Sequence, residues 1–166
     1  WHDLRDGPIL KHPLLAKLGV EPLNSEFNPD YLFQQFANRN ASIKSVLLAG
    51  QAVVGVGNIY ASESLFKAAI DPTAPAKSLS LAQVYPQTIA LHQAIVETLQ
   101  QALDSGGSTL RDYKNATGEA GAYFDLFAQI YGKAGQPCPR CATPIQRMVQ
   151  NQRATYFCSR CQNVNT

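Results

Sequence analysis

The sequence predicts a mainly α-helical domain followed by a small two-stranded module near the C-terminus. Apolar residues recur at helical spacing through most of the chain, whereas one late segment alternates as strands do. All four cysteines lie in that late segment. With 166 residues, 45% hydrophobic and 16% charged, the chain suits a globular helical domain with a small appendage. The composition excludes a disordered chain, and no apolar run reaches the roughly 18 residues of a membrane helix.

The first part of the chain is expected to begin irregularly and then to form two short helices. Residues 1–27 contain several glycines and prolines and show little periodicity, which is typical of irregular structure. Asn28-Pro29 combines a capping residue with proline at the first helical position, which predicts a helix start. A second helix fits residues 42–49, with its three large apolar positions facing inward and Lys44 facing outward.

A third helix is predicted over residues 58–69. Asp71-Pro72 ends it, because the residue before a proline avoids helical backbone. Residues 71–79 then form a linker. Further along, the glycine-containing segment 114–122 is expected to be a flexible loop, and the aromatic segment 123–131 is expected to pack back onto the helices.

A long amphipathic helix is predicted between the linker and the loop. Ser80 and Gln83 resemble a capping box at its start. Pro86 lies inside the periodic pattern, so the helix either starts near Tyr85 or is kinked in its first turns. Gly106-Gly107 is the stop signal at its other end.

The cysteine spacing predicts a four-thiolate zinc site. Cys138-x2-Cys141 is separated by sixteen residues from Cys158-x2-Cys161, and each CxxC turn can present two sulfurs to one tetrahedral ion. Between the pairs, residues 145–150 and 153–157 alternate like two strands joined at Asn151-Gln152. The alternatives are two disulfides or a redox dithiol, and the absence of a signal segment and of a thioredoxin-like pattern disfavours both.

The charge distribution is uneven along the chain. Residues 1–136 carry a balance of −2, whereas residues 137–166 contain no acid and four arginines, a balance of +4: Arg140, Arg147, Arg153 and Arg160. An acid-free basic segment indicates an anionic partner, nucleic acid first, although arginines that merely keep a small module soluble would look the same.

Five blocks of sequence resemble the formamidopyrimidine-DNA glycosylase family, and they cover residues 12–162 in order. The longest spans a turn and a helix, and the last lies within the cysteine-rich segment. In chain order they are His12 to Gly19, Val53 to Phe66, Gly106 to Tyr113, Tyr131 to Lys133 and Gln152 to Cys158. The resemblance implies an interdomain junction remnant at 1–27, a helix-two-turn-helix DNA-binding domain at 28–132 and a β-hairpin zinc finger at 133–166.

The resemblance also implies which residues contact DNA. Gly57 and Asn58 match the family's turn that meets a phosphate beside the lesion, and Lys44 stands at the place of its phosphate-binding lysine. Arg153 falls where the family's finger places an arginine on the phosphates that flank the flipped nucleotide. The family also gives that arginine the role of proton donor in the last, δ-elimination step, so Arg153 is the one candidate catalytic residue.

By this resemblance the parent activity is that of a base-excision-repair glycosylase and AP lyase acting on oxidised purines such as 8-oxoguanine and formamidopyrimidines. Family chemistry begins with an N-terminal proline that attacks the sugar C1′ and a neighbouring glutamate that handles protons. This sequence begins Trp1-His2-Asp3 and contains neither a Pro-Glu start nor the Asp-Pro-Arg-Arg-Phe-Gly run that fills the gap left by a flipped base. We therefore expect a fragment that binds damaged or abasic duplex DNA without catalysis.

Two alternatives stay open at this point: an active enzyme whose catalytic domain is supplied elsewhere, and a zinc-ribbon DNA-binding module with no role in repair. The absence of a signal segment predicts a cytoplasmic, nucleoid-associated bacterial protein. Loss of a covering domain predicts self-association through the face that it would leave exposed.

Overall fold

The computed structural model describes residues 15–107 and 122–163, so nearly all of the predicted loop at 114–122 lies outside the described residues. In the described part the helices are α1 Pro29–Phe36, α2 Ile43–Leu48, α3 Asn58–Lys67, α4 Tyr85–Asp104 and α5 Tyr123–Phe127, and the strands are β1 Gln146–Gln150 and β2 Arg153–Phe157. The mainly α class with a C-terminal hairpin is confirmed. Within those ranges no helix has the length and apolar character needed to cross a membrane.

The starts of α1 and α2 follow the local sequence signals. The Asn28 side chain accepts a hydrogen bond from the Tyr31 backbone N–H at 2.9 Å, and Pro29 occupies the first turn of α1. Ser42 caps α2 in the same way, accepting from the Ser45 N–H at 3.3 Å. Each cap satisfies a backbone donor that has no partner within its helix.

The start of α4 differs from the capping-box prediction, which is wrong. The helix begins at Tyr85 with Pro86 in its first turn, and no side chain caps it. Two short 3-10 helices, Ala76–Ser80 and Ala82–Val84, precede it, and the first of them includes the last four residues of the segment that we predicted as a linker. A start near Tyr85 was the other interpretation of Pro86, and the structure has that form because proline needs no backbone donor there.

Helix α3 is the centre of the molecule. Every residue from Ala61 to Phe66 is buried, and the helix contacts α2 and α4 as well as β2 of the hairpin. The main core joins the apolar faces of α1 to α4, and its largest fully buried members are Leu32, Phe36, Ile43, Leu47, Leu65, Leu91 and Ile95. Because α3 is packed between these elements, the residues at its two ends are held in fixed positions.

The hairpin is short and its register is fixed by a tight turn. Strands β1 and β2 are antiparallel with Gln150 opposite Arg153, which leaves Asn151 and Gln152 as a two-residue turn. Both turn residues have positive φ, 47° and 62°, as a type I′ turn requires. The hairpin and the cysteine turns pack on Phe66 of α3. The domain limits at residues 27/28 and 132/133 stay predictions.

Candidate nucleic-acid interface and metal centre

The four cysteine sulfurs converge as the sequence predicts. All four Sγ atoms lie within 4.8 Å of one another, and the cysteines are free thiols. The sulfurs of Cys141 and Cys158 are separated by 3.4 Å, whereas a disulfide bond is about 2.05 Å long. Four convergent sulfurs are the donor set of a structural zinc site, and the residues fit a tetrahedral Zn²⁺.

The surroundings of the thiols favour a bound cation. Burial and the neighbouring thiols raise the pKa of Cys161 to about 12, and burial also raises the pKa of Cys158. Hydrogen bonds from Thr143 lower the pKa of Cys141 to about 6. Sulfurs held this close resist simultaneous ionisation unless a cation compensates their charge, which a Zn²⁺ ion bound among them would do.

The finger is attached to the far end of α3 by two side chains. Arg140 donates to the carbonyl oxygens of Phe66 and Lys67, both at 3.0 Å, and its guanidinium lies 4.5 Å from the centre of the Phe66 ring. Gln162 accepts from the Cys158 N–H and donates to the Ile70 carbonyl at 2.8 Å. Arg140 therefore satisfies carbonyls at the C-terminus of a helix, so this arginine of the basic segment acts within the protein.

The Lys44 side chain points into the protein, whereas helical periodicity predicts that it faces solvent. Its side chain is buried, with 1% of its surface exposed, and Nζ donates to the Ala154 carbonyl at 2.9 Å and to Thr155 Oγ1 at 2.8 Å. The outward orientation is therefore wrong, because the hairpin covers this face of α2. Burial, and secondarily the charge of Arg153, lowers the pKa of Lys44 to about 8.

Asn58 reaches the same carbonyl from the start of α3. Its Nδ2 donates to Ala154 O and to the Tyr131 hydroxyl, both at 3.0 Å. Its Oδ1 is buried and has no hydrogen-bond partner among the described residues. Ala154 O thus accepts from both Lys44 and Asn58, and the next residue back, Arg153, is exposed.

Gly55 and Gly57 flank this point but for different reasons. Gly55 has φ +77°, a conformation that favours glycine, so the turn itself requires it. Gly57 has an ordinary φ of −74°, and a Cβ placed there would meet no described atom within 4 Å. Neither the backbone conformation nor the packing of the described residues requires glycine at position 57.

Glu63 is a buried carboxylate that binds the segment leading to the finger. The side chain is fully buried in α3, and its carboxylate accepts three backbone N–H bonds from the segment that leads to the finger. Oε2 accepts from Gln129 at 2.8 Å, and Oε1 accepts from Ile130 at 3.0 Å and Tyr131 at 2.8 Å. Glu63 lies between two serines, Ser62 and Ser64, so the local sequence neither signals this role nor identifies its partners.

Comparison with known proteins agrees with this arrangement. Residues 18–114 match the family described as the formamidopyrimidine-DNA glycosylase H2TH domain, and residues 135–164 match the zinc finger found in FPG and IleRS. The chain belongs to the formamidopyrimidine-DNA glycosylase family. A curated relative, the formamidopyrimidine-DNA glycosylase of Bordetella petrii, is 54% identical over 162 residues, which are 98% of this chain and 58% of the relative. The chain therefore spans somewhat less than three-fifths of the length of that relative.

Two solved structures share the fold. The MutM (FPG) protein of Thermus thermophilus is 38% identical with a TM-score of 0.84, covering 93% of this chain and 57% of its own. A Lactococcus lactis FPG mutant in complex with Fapy-dG-containing DNA is 34% identical with a TM-score of 0.81, covering 91% and 54%. Both likenesses extend over the helical domain and the finger together.

Proposed function

We propose that this chain is the damaged-DNA-binding portion of a base-excision-repair glycosylase and AP lyase. The observation that carries the proposal is the convergence of Lys44 and Asn58 on the Ala154 carbonyl, beside the exposed Arg153. Arg153 is the exposed cation of this surface, and the buried Lys44 ammonium and the N-terminus of α3 at Asn58 add positive charge beneath it. Such a surface suits a phosphodiester backbone, which is bound chiefly by arginine, lysine and amide donors.

Each member has a distinct role in phosphate binding. The Lys44 ammonium uses two of its three N–H groups inside the protein, and because only 1% of the residue is exposed its charge attracts a phosphate from just beneath the surface. Gly57 lets a phosphate approach the N-terminus of α3, where backbone N–H groups and the helix dipole favour an anion. Arg153 supplies an exposed fork of donors that suits phosphate geometry.

Zinc holds this surface together indirectly. When bound, the divalent ion would compensate half of the charge of the four thiolates and hold the two CxxC turns together. The finger's own residues do the rest: the carbonyl of Ala154 holds the side chains of Lys44 and Asn58, and Gln150 Nε2 donates to the Pro72 carbonyl at 3.2 Å. Disordering the hairpin would release both cationic and amide donors at once.

The proposed substrates are duplexes that contain oxidised purines, chiefly 8-oxoguanine and formamidopyrimidines, or abasic sites. Family membership and the Fapy-dG-containing DNA of the Lactococcus lactis complex support this class. The 166 residues contain no Pro-Glu pair, so we propose that they bind without catalysis. The role of Arg153 as proton donor in δ-elimination would be exerted only together with the catalytic domain.

Fluorescence anisotropy on matched duplexes tests the binding proposal. We expect salt-dependent binding that weakens when a chelator removes zinc. Arg153→Gln should lower the affinity and reduce the slope of log K against log salt by about one. Arg160→Gln is the control, because Arg160 is also exposed on the finger but lies at the opposite end from the turn. Equal effects of the two substitutions would refute the assigned surface.

Borohydride trapping on a duplex with one abasic site tests the absence of catalysis. The proposal predicts only the slow background that any lysine amine gives. Rapid trapping that disappears when the α-amine is blocked would show that the chain performs the iminium chemistry itself. Equal affinity for damaged and intact duplexes would instead favour a DNA-binding module without a repair role.

Self-association and location are the remaining proposals. We propose that the face covered by the catalytic domain in the full-length family drives self-association, which light scattering at several concentrations would detect. We also propose a cytoplasmic, nucleoid-associated location, consistent with the bacterial relative.

A further inference from the structure

The hairpin turn contains a residue that the fold does not explain. Gln152 has φ +62°, a left-handed conformation that favours glycine and is tolerated by asparagine. Type I′ turns favour glycine at this second position. The Gln152 side chain is exposed, and it makes no hydrogen bond within residues 15–107 and 122–163. The side chain therefore makes no contact in the described part of the protein that would explain a glutamine at this position.

The neighbouring turn residue shows the contrast. Asn151 also has positive φ, 47°, but asparagine tolerates that conformation. Its Nδ2 donates to Ser45 Oγ at 2.6 Å, which attaches the turn to α2. On the other side, Gln150 Nε2 donates to the Pro72 carbonyl at 3.2 Å. The turn is therefore held from both sides, which fixes the backbone position from which the Gln152 side chain projects.

We propose that Gln152 contacts the DNA backbone, an inference that rests on the proposed function. It precedes Arg153 directly and lies two residues from the Ala154 carbonyl that holds Lys44 and Asn58. A glutamine amide offers two N–H donors, which suit a phosphate oxygen beside the one that Arg153 contacts. Ala142 has the same kind of conformation elsewhere in the finger, so it is the place of Gln152 beside Arg153, together with its strain, that carries the inference.

The substitution Gln152→Gly separates this role from a structural one. Glycine relieves the strain, so the melting temperature should rise, whereas loss of the amide should weaken duplex binding about three- to tenfold. Ala142→Gly is the matched control, because Ala142 is an exposed finger residue with φ 60° outside the hairpin. It should raise the melting temperature and leave affinity unchanged. A Gln152→Gly protein that is stabilised and binds as tightly as the parent overturns the inference.

A second variant guards against an effect of turn flexibility. Gln152→Glu keeps the size of the side chain and replaces its donors with a carboxylate, so it should weaken binding more than Gln152→Gly does. Gln146→Glu adds the same charge at the exposed far end of β1 and controls for net charge. If the two glutamate variants bind alike, Gln152 is not at the interface.

The Arg153→Gln protein keeps the two proposals distinguishable. Loss of binding in Arg153→Gln but not in the Gln152 variants overturns only this inference. Unchanged binding in all of them overturns the assigned DNA-binding surface as well.

Discussion

Replacing Glu63 with glutamine tests how the finger is attached to the helical domain. The carboxylate of this fully buried residue accepts three backbone N–H bonds of 2.8–3.0 Å, from residues 129, 130 and 131. Glutamine has nearly the same shape, but one of its two oxygens becomes an NH₂ group. Depending on which oxygen is replaced, the NH₂ group would face one or two backbone N–H donors, and it cannot accept a hydrogen bond from them.

The expected cost follows from this count of bonds. A hydrogen bond to a charged group contributes about 1.5–3 kcal/mol, and a buried donor without a partner costs about 1–3 kcal/mol. Losing one or two such bonds while the third weakens gives about 2–4 kcal/mol of the free energy of unfolding. For a chain of this size the melting temperature should fall by roughly 5–15 °C.

Thermal unfolding followed by circular dichroism in excess zinc is the assay. Glu97→Gln is the matched control, because its carboxylate is 59% exposed and is 3.3 Å from the Lys67 ammonium. An exposed ion pair of this kind contributes at most about 1 kcal/mol. If Glu63→Gln destabilises the protein no more than Glu97→Gln does, the three bonds do not hold the segment as argued.

Three further predictions concern the site and the attachment of the finger. Gly57→Ala should change the free energy of unfolding by no more than about 1 kcal/mol yet weaken duplex binding at least several-fold, whereas Gly55→Ala, at positive φ, should lose about 1–2 kcal/mol of stability. Thermal melting and fluorescence anisotropy check both variants. Tight DNA binding by Gly57→Ala would contradict the proposal that a phosphate approaches closely at Gly57. The pKa of Lys44 is lowered from the usual 10.5 to about 8, so as pH rises the folded chain loses this proton before the unfolded chain does. Above pH 8 the free energy of unfolding should therefore increase, while DNA affinity should fall because the ammonium charge is lost. Both trends should be absent in Lys44→Met. Arg140→Lys removes the paired hydrogen bonds to the carbonyls at the end of α3 and the stacking of the guanidinium on the Phe66 ring, so chemical denaturation should show a loss of about 1–2 kcal/mol in the free energy of unfolding. Arg147→Lys, on the exposed hairpin surface, should change that free energy by no more than about 0.5 kcal/mol.

Local signals predicted the parts of the fold that depend on neighbours in sequence. The Asn28 cap, the glycines after α4 and the two CxxC turns each satisfy backbone or metal requirements within a few residues. The strand limits were predictable for the same reason, because a two-residue turn at Asn151-Gln152 fixes the register. Such features need no knowledge of the rest of the molecule.

Contacts between distant segments could not be predicted in this way. Lys44 looked like a solvated charge because the periodicity of a six-residue helix cannot reveal a carbonyl 110 residues further along the chain. Ser80 matched a capping pattern, but its hydroxyl donates to the Lys77 carbonyl within a 3-10 helix instead. The partners of Glu63 are likewise 66–68 residues away. In each case tertiary packing overrode the local preference.

The carbonyl oxygen of residue 154, which accepts from both Lys44 and Asn58, is a main-chain atom, so substitutions of the side chain do not remove it. Exchange of the Ala154 methyl group for another small side chain would leave the carbonyl in place, so a mutational scan would report the position as unimportant. The functional group belongs to the peptide bond, and only chemistry on that bond, such as an ester in place of the amide between residues 154 and 155, would weaken it. The junction between the helical domain and the finger therefore depends on a backbone oxygen that is present whichever residue occupies position 154.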